Sequence, residues 1–388
     1  MDAPDPDLHQ RLAAADRALA ARNVAEARAI LEAAAAAAPA FPAFWQRLAT
    51  VRQMAGAPGQ AIAAIDKALE LAPLDFVNLL MRARMLDQAG HPEAGEAYGR
   101  ALAQRRPDPL PAPLVPAIER AEAAWAEHQQ GLERRLAEAL EASGTDLTPA
   151  ERRRAARLAS NITRRTRAYH SEATHFHYPG LRELEFHDRA LFPWLERLEG
   201  LSDVIAAELD VVANAPDADL VPYVQYSASE PLAQWRQLNH NRDWTAIHLI
   251  QRGARVEPNA AHCPQTMAFL DSMAQPWIEG CGANAMFSLL APHTSIPPHV
   301  GVANFRLLCH LPLIIPGKCW FRVGEEVRDW QRGTAWVFDD SIEHEAMNET
   351  DQLRIIMIFD IWHPDLSPAE RQAIATTVGA ASMPVGAL

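Results

Sequence analysis

The chain is poor in cysteine. Its 388 residues include only Cys263, Cys281, Cys309 and Cys319, and no two of these form a Cys-x-x-Cys pair. A cysteine zinc site needs closely spaced pairs, and four cysteines are too few to staple a chain of this length with disulfides. The sequence therefore argues against zinc-finger chemistry and against a disulfide framework.

Positive charge and long apolar runs are also scarce. Acidic residues outnumber basic ones by 49 to 36, which gives a formal net charge of −13. Such a chain repels phosphate backbones and anionic membrane surfaces, so we expect neither nucleic acid nor a membrane as a partner. The first ten residues, MDAPDPDLHQ, lack the basic and apolar regions of a signal peptide, and no run of about 18 apolar residues occurs. We therefore expect a cytoplasmic protein.

The chain does contain enough apolar material for a large core. Apolar residues make up 49% of it and charged residues 22%, which is typical of a soluble globular protein. A length of 388 residues predicts two or three domains rather than one.

A repeat of 34 residues runs through the first third of the chain. Pro39, Pro73 and Pro107 recur at this spacing, each after a segment rich in alanine and leucine. Small residues keep the same step: Ala15, Ala49 and Ala83 at one position, Gly56 and Gly90 at another. Small residues let helices cross closely, and proline cannot continue a helix. The pattern resembles three tetratricopeptide repeats, whose concave face commonly binds peptides; alternatively, the repeats only pack on the next domain.

A proline-rich stretch, RRPDPLPAPLVP at 105–116, ends this pattern and marks a boundary. A long helical segment follows to about Ser143, and Thr148–Glu151 is typical of a capping box that opens a basic helix. We interpret the arginines of that helix as a solvated face. The repeats are therefore assigned to residues 1–107 and a helical connector to 108–167.

From about residue 168 the composition predicts a β domain. Aromatic, β-branched and histidine residues become common, and short apolar runs are separated by Gly, Pro, Asn and Asp. Strands are expected near 245–251, 284–291, 304–315, 319–323, 334–338, 343–347 and 353–361, with helices near 192–212 and 264–274. Seven or more short strands at this spacing predict a jelly-roll sandwich or barrel. We therefore expect a multidomain chain in which all-α repeats precede a jelly-roll domain at 168–388 with flanking helices.

The segment PPHVGVANFRLLCH at 297–310 places ionisable groups in a run that otherwise predicts a buried strand. Burying such groups costs several kcal/mol unless a partner, a metal or a ligand compensates. Strand side chains alternate between faces, so Arg306, Leu308 and His310 share one face while Leu307 and Cys309 share the other. One face is expected to pack, and the other to present a cation and an imidazole.

Arg354 raises the same question, because it is alone in the apolar run LRIIMIFDIW. A guanidinium inside a barrel requires an anion. No acidic residue in the neighbouring strands is an obvious partner, so we expect a carboxylate ligand. The alternative is an arginine at the solvent end of its strand.

Two histidines are candidate metal ligands. His299 follows two prolines that stiffen the chain, and His344 follows an acidic turn 45 residues later. Two imidazoles at strand edges of one β domain suit a divalent first-row metal. A single histidine is more often structural, so this pair depends on its surroundings.

The sequence around these two histidines resembles that of a known family. The region 288–364 is similar to the aspartyl/asparaginyl β-hydroxylases, which are 2-oxoglutarate-dependent oxygenases. The resemblance depends on PHVG, GTAWVFDDSIEHEAMN, DIWHP and the arginine ten residues after His344. It extends more loosely over about residues 170–365, and a helical-repeat region before the oxygenase domain is a known arrangement in that family. The resemblance implies a double-stranded β-helix fold for the second domain.

The resemblance also implies that Fe(II) and 2-oxoglutarate act as cofactor and cosubstrate, with His299 and His344 as the iron ligands. Most oxygenases of this superfamily add a carboxylate two positions after the first histidine. Here that position is Gly301. The resembled family also has glycine there, so the absence of a carboxylate supports the assignment.

The remaining site residues follow from the same resemblance. Ser288 and Arg354 match residues that bind the distal carboxylate of 2-oxoglutarate, and His310 matches a residue near its other carboxylate. The family commonly has R-x-R-x-H in this strand, whereas this chain has Arg306, Leu308 and His310. Either Arg306 takes both roles in binding the cosubstrate, or the cosubstrate and the substrate are bound differently.

The implied function is hydroxylation of an unactivated C–H bond, at the β-carbon of Asp or Asn in a peptide, a protein or a free amino acid. The repeats would then recruit the substrate. Two alternatives stay open: an iron-dependent halogenase, in which chloride takes the place of the missing carboxylate, and a catalytically inactive repeat-based adaptor, suggested by Leu308.

Two smaller features complete the predictions. Cys263 and Cys281 flank a stretch that is disulfide-bonded in some secretory-pathway relatives, and we predict free thiols here because we expect a cytoplasmic protein. The histidine-rich stretch HSEATHFHYPG at 170–180 is interpreted as a loop at the cavity rim, with a second metal site as the alternative.

Overall fold

The computed structural model describes residues 6–105, 112–227 and 233–381. The chain divides into two compact units, Met1–Thr166 and Arg167–Leu388. Within the described residues, no helix is both long enough and apolar enough to cross a bilayer.

The described part of the first unit is helical. Its helices are α1 (Pro6–Ala20), α2 (Val24–Ala37), α3 (Pro42–Met54), α4 (Pro58–Leu71), α5 (Phe76–Gln88), α6 (Ala94–Leu102), α7 (Val115–Ala142) and α8 (Pro149–Ile162). The first six helices pack as three consecutive pairs, and each pair also contacts the next. This stack confirms the prediction of helical repeats.

The positions that define the 34-residue step lie where close packing requires them. Ala15, Ala49 and Ala83 are fully buried at the helix crossings. Gly56 and Gly90 adopt the left-handed conformation between paired helices, with φ of +73° and +65°. Arg22 occupies the equivalent turn of the first pair at a φ of +61°, where a side chain is strained. Pro107, the third proline of the repeat, is outside the described residues.

The connector contains the predicted elements. Helix α7 ends one residue before Ser143, as the sequence indicates. The capping box that opens α8 is confirmed, because the Thr148 hydroxyl accepts from the Glu151 backbone N–H and the Glu151 carboxylate accepts from the Thr148 backbone N–H. Arg152 and Arg153 are exposed, as expected of a solvated helix face.

The second unit combines helices with two antiparallel sheets. In chain order its described elements are α9 (Leu195–Gly200), α10 (Ser202–Ala213), β1 (Leu220–Pro222), β2 (Trp244–Gln251), β3 (Ala254–Arg255), α11 (Glu257–Ala260), α12 (Pro264–Asp271), β4 (Ala285–Leu290), β5 (Ser295–His299), β6 (Arg306–Ile314), β7 (Cys319–Val323), β8 (Glu326–Asp329), β9 (Trp336–Phe338), β10 (His344–Asn348), β11 (Arg354–Trp362) and α13 (Pro368–Ala381).

The larger sheet has the strand order β1-β2-β4-β11-β6-β9, with β3 added at β2, and the smaller sheet has the order β5-β10-β7-β8. Apolar side chains of both sheets form one buried cluster, to which Met286 and Ile358 come from the larger sheet and Phe321 and Ala346 from the smaller. Two facing antiparallel sheets with long crossovers confirm the predicted jelly roll.

All seven predicted strands are present, and four further strands were not predicted. Strands β1 and β3 are very short, and β8, at a sheet edge, has four residues of which three are charged. Strand β5 contains Pro297 and Pro298, which weaken any strand signal in the sequence. The helix expected at 192–212 is two helices, α9 and α10, that meet at Leu201.

The alternation predicted for β6 is confirmed. Leu307 and Cys309 belong to an apolar cluster that includes residues of α10 and α12, on the outer face of the larger sheet. Leu308 packs instead against the cluster between the two sheets. The polar face of β6 therefore points into the interior of the jelly roll, where the candidate site lies.

Candidate active site

The two candidate metal ligands lie side by side. Strands β5 and β10 are antiparallel neighbours, and their register places His299 directly opposite His344. The centroids of the two imidazole rings are 4.0 Å apart. The site is therefore assembled by strand pairing between segments that are distant in sequence.

Hydrogen bonds fix the tautomer of both rings. Nδ1 of His299 is 2.7 Å from the backbone oxygen of Pro297, and Nδ1 of His344 is 2.9 Å from that of Ile342. A carbonyl oxygen can only accept, so each Nδ1 carries the proton and each Nε2 keeps a free lone pair. This arrangement is the one in which a histidine ligates a metal through Nε2.

The electrostatic environment keeps both rings neutral. Burial lowers the pKa of His344 to about 4. Burial also lowers the pKa of His299 well below its ordinary value, and the adjacent His344 lowers it further. Neutral imidazoles are required for metal binding, because a protonated ring has no free lone pair.

No third protein ligand joins the pair in the described part of the chain, where no group of three His, Cys, Asp or Glu side chains is placed to hold an ion. Gly301 cannot supply one, and the Asp340 carboxylate fills the space beside it. A Cβ built on Gly301 would overlap Asp340 Oδ2. The Gly301 backbone N–H donates to the Asp340 backbone oxygen at 2.6 Å, which fixes the two residues against each other.

We expect Gly301→Ala to destabilise the second unit. The added methyl group would displace the Asp340 carboxylate, a residue that is 3% exposed, and overpacking of this kind costs roughly 1–3 kcal/mol. Thermal unfolding of the metal-free protein measures the effect. Gly280→Ala is an approximate control, since a Cβ there meets nothing within 4 Å, although its φ of +77° adds strain of its own. Equal stability of wild type and Gly301→Ala would show that the Asp340 side chain can move aside for the methyl group at little cost.

Arg354 is buried without a counter-ion. Its side chain is 1% exposed, and no acidic group among the described residues pairs with it. The guanidinium lies over the Trp330 ring at 4.6 Å from the centroid, its Nη1 is 3.5 Å from the Ser288 backbone oxygen, and its Nε has no partner. Burial lowers its pKa to about 9, so the buried cation is destabilised relative to an exposed arginine, and an adjacent anion would stabilise it. The solvent-end alternative for Arg354 is therefore excluded.

Ser288 and His310 lie in the same pocket as Arg354. The Ser288 hydroxyl accepts from Nε1 of Trp244 at 3.0 Å, so its own proton is available to another acceptor. His310 is buried, and its Nδ1 has no partner. Burial lowers the pKa of His310 well below its ordinary value, and the nearby cation of Arg354 lowers it further.

Arg306 has a different environment from Arg354. Its Nη1 donates to Asp360 at 2.9 Å and its Nη2 donates to Asp340 at 3.1 Å, with all three side chains buried. The two carboxylates neutralise the guanidinium and leave the cluster one negative charge in excess when both are ionised.

The predicted residues are thus divided between two adjoining pockets. The Arg354 pocket contains Ser288, His310, Arg354 and the aromatic rings of Phe321, Trp330 and Phe338. The Arg306 pocket contains Arg306, Asp340, Asp360, His248 and Gln225. The two pockets share His299, His344, Tyr223, Leu308 and Ile358. The histidine pair therefore lies where the pockets meet, whereas Arg306 and Ser288 line different pockets.

Some site residues that the prediction missed are signalled by the sequence. Asp360 interrupts the same apolar run as Arg354, six positions later and hence on the same strand face. Asp340 belongs to the acidic turn before His344. Tyr223, which stacks on Trp244 with ring centroids 3.8 Å apart, directly follows the short strand β1, which composition does not reveal.

The two smaller predictions can also be compared with the structure. All four cysteines are free, as predicted for Cys263 and Cys281. His170, His175 and His177 contact Glu183, Thr174 and Asn304 separately. No metal-binding group forms there within the described ranges, so the second-metal alternative is not supported.

Comparisons with known proteins place related sequences over this part of the chain. The profile of the family "Aspartyl/Asparaginyl beta-hydroxylase" matches residues 202–364. The mouse protein named aspartyl/asparaginyl beta-hydroxylase is 35% identical over 145 residues, which are 37% of this chain and 19% of that protein. The ornithine lipid ester-linked acyl 2-hydroxylase of Rhizobium tropici is 33% identical over 202 residues, which are 51% of this chain and 68% of that protein.

The match covers only about a fifth of the length of the mouse relative. Among solved structures, the Sgt2 TPR domain from Aspergillus fumigatus matches 33% of this chain and 85% of that chain, at 19% identity and a TM-score of 0.29. A score this low does not by itself establish a shared fold.

Proposed function

Because the chain belongs to the aspartyl/asparaginyl β-hydroxylase family, we propose that it is an Fe(II)- and 2-oxoglutarate-dependent hydroxylase of an unactivated C–H bond. One observation carries the proposal: two neutral, buried imidazoles with free Nε2 atoms share a pocket with a buried guanidinium that has no counter-ion. The two imidazole lone pairs can bind a metal ion, and the guanidinium can pair with an anion. Iron and a keto diacid together match both groups.

The residues present fit a ferrous ion. His299 and His344 would hold it through Nε2, while the carbonyls of Pro297 and Ile342 orient the rings. Two histidines and open positions are what this site shares with the 2-His-1-carboxylate sites of non-haem iron oxygenases. When bound together, Fe(II), 2-oxoglutarate and O₂ supply the oxidant that turns C–H into C–OH while the keto acid becomes succinate and CO₂.

The residues present also fit 2-oxoglutarate. A carboxylate is a natural partner for Arg354, since a charge-assisted pair would offset the desolvation of the guanidinium. The Ser288 hydroxyl is free to donate to the same carboxylate, and Nδ1 of His310 offers a further contact. For Arg306 the geometry favours different binding of cosubstrate and substrate, because both of its Nη atoms are already engaged.

The protein's further contribution is to orient these groups and to exclude water. Phe321 and Phe338 lie against the His310 ring, with centroids 4.9 and 4.6 Å away, and Trp330 covers Arg354. Aromatic walls keep the local dielectric low, which strengthens the ion pair between Arg354 and a carboxylate. A rigid, dry pocket of this kind holds a reactive site in one geometry.

The two alternatives are less well supported. A halogenase would place chloride where the carboxylate ligand is missing, but the Asp340 carboxylate lies against Gly301 and would repel an anion there. An inactive adaptor has no need of two neutral histidines and an unpaired guanidinium at one site. Leu308, which suggested the adaptor, lines both pockets and leaves both intact.

The substrate is a separate question. The two relatives are named for different substrates, an aspartyl or asparaginyl group and an ester-linked acyl chain. Hydroxylation of the β-carbon of Asp or Asn stays a prediction from the family resemblance, as do cytoplasmic location and recruitment of a peptide or protein by the repeats.

Anaerobic titration and turnover test the proposal. We expect the protein to bind Fe(II) first and 2-oxoglutarate second, and to form succinate slowly in air even without a substrate. Incubation with peptide and metabolite pools should add one oxygen to a product, detected by mass spectrometry. Failure to bind 2-oxoglutarate in the presence of Fe(II) would refute the proposal, and a chlorinated product would favour the halogenase.

A further inference from the structure

We infer that the Arg306 pocket selects a substrate whose reacting carbon belongs to an uncharged aliphatic group and which donates a hydrogen bond from an amide or ammonium to Asp340. The inference rests on the proposed function and names its substrate class. It differs from hydroxylation of an acidic side chain, and it assigns to Leu308 the role of a specificity-determining residue.

The charge of the Arg306 pocket is the first argument. Arg306 is already paired with Asp340 and Asp360. The other cation that lines the pocket is Arg252, which is exposed in the turn after β2. A substrate carboxylate brought to the histidine pair would therefore meet two buried acids and no free buried cation, and an unpaired buried charge costs several kcal/mol.

The unused hydrogen-bonding capacity of Asp340 is the second argument. Its Oδ2 accepts from Arg306, whereas its Oδ1 is buried without a partner. A buried carboxylate oxygen without a donor is costly, and a ligand that donates a hydrogen bond to it would offset that cost. An N–H group meets this need, and a second carboxylate does not.

The apolar surface beside the histidine pair is the third argument. The register of β4, β11 and β6 places Met286 opposite Ile358, and Ile358 opposite His310. Leu308 opposes Asp360 in the same pair of strands, one step further along the same face. Met286, Ile358 and Leu308 thus form a continuous apolar patch in the Arg306 pocket. An aliphatic group fits this patch and a charged group does not.

Position 308 decides between the two substrate classes. Leu308 lines both pockets, so its side chain faces whatever lies beside the histidines. An arginine at this position would replace part of the apolar patch with a free cation. We expect Leu308→Arg to shift the preference from uncharged to acidic substrates, while Leu308→Met, which conserves volume and polarity, keeps the wild-type preference.

Two amide probes, one with an aliphatic chain and one with a carboxylate, test the inference. Hexanamide carries an aliphatic chain and an amide donor, and N-acetylaspartate amide carries a carboxylate. We expect hexanamide to stimulate succinate formation by the iron-loaded wild type at least tenfold more than N-acetylaspartate amide, with one oxygen added to hexanamide. The same order should appear in the quenching of tryptophan fluorescence of the metal-free protein, since Trp244 lies beside the shared residues.

The outcomes separate the inference from the proposed function. Equal or stronger stimulation by N-acetylaspartate amide, or stimulation by neither probe, overturns the inference even when succinate forms slowly without substrate. A reversed preference in Leu308→Arg, but not in Leu308→Met, supports the role of position 308. Absence of any succinate and of 2-oxoglutarate binding by the wild type would instead overturn the proposed function.

Discussion

Replacing His344 with alanine is expected to abolish succinate formation and to remove most of the affinity for Fe(II), and His299→Ala should do the same. The described residues offer only these two protein ligands, so each substitution removes half of the set. Loss of a partner outside the ligand set already costs about 10–100-fold in metal affinity, and loss of a ligand should cost more. Equilibrium dialysis of Fe(II) under anaerobic conditions gives the affinity directly.

A surface histidine supplies the control for this experiment. His293 is exposed and pairs with Asp351, so His293→Ala should leave iron affinity and turnover unchanged. Thermal unfolding of each metal-free variant separates loss of a ligand from loss of the fold. Wild-type affinity for iron in the double variant His299→Ala/His344→Ala would remove the basis of the proposed metal site.

The second large effect is expected at the two buried arginines, where the same substitution should act in opposite directions on stability. Arg354→Met removes a cation that has no counter-ion, so the metal-free protein should be as stable as wild type or more stable. Arg306→Met leaves Asp340 and Asp360 buried without their cation, which costs roughly 3–5 kcal/mol. Thermal or urea unfolding measures both effects.

Binding of 2-oxoglutarate should depend more strongly on Arg354 than on Ser288. Truncating one partner of a buried charge pair costs about 2–5 kcal/mol, so Arg354→Met should weaken 2-oxoglutarate binding by at least about 30-fold. Ser288→Ala, which removes a neutral donor, should weaken it less. Calorimetric titration in the presence of a redox-inert metal gives the affinity. Unchanged affinity in Arg354→Met would mean that the cosubstrate binds elsewhere.

Much of the architecture followed from local patterns in the sequence. The 34-residue step identified three helix pairs because small residues and turn glycines are needed wherever such helices cross, and Ala15, Ala49 and Ala83 are fully buried. The alternation in β6 predicted that Leu308 and His310 face away from Leu307, because successive side chains of a strand point to opposite faces. Strand β5 was not predicted because proline is disfavoured in strands and β5 contains two prolines.

The candidate site was only partly predictable, since its residues meet through pairing between distant strands. The family resemblance named His299 and His344, but their contact across β5 and β10 depends on a register that local composition does not encode. Arg306 and Arg354 look alike in the sequence, as single arginines in apolar strands. In the structure, two carboxylates neutralise Arg306, and no carboxylate among the described residues neutralises Arg354.

The sequence by itself determined the classes of the two units, the inward face of β6 and the residue types available for chemistry, because helical and strand periodicities are local properties of the chain. Only the tertiary structure decided which ionisable groups are paired, how the site divides into two pockets, and that Asp340 lies beside Gly301. Those outcomes depend on the distances between segments that the sequence separates, and a buried charge is stabilised or destabilised by its neighbours in space.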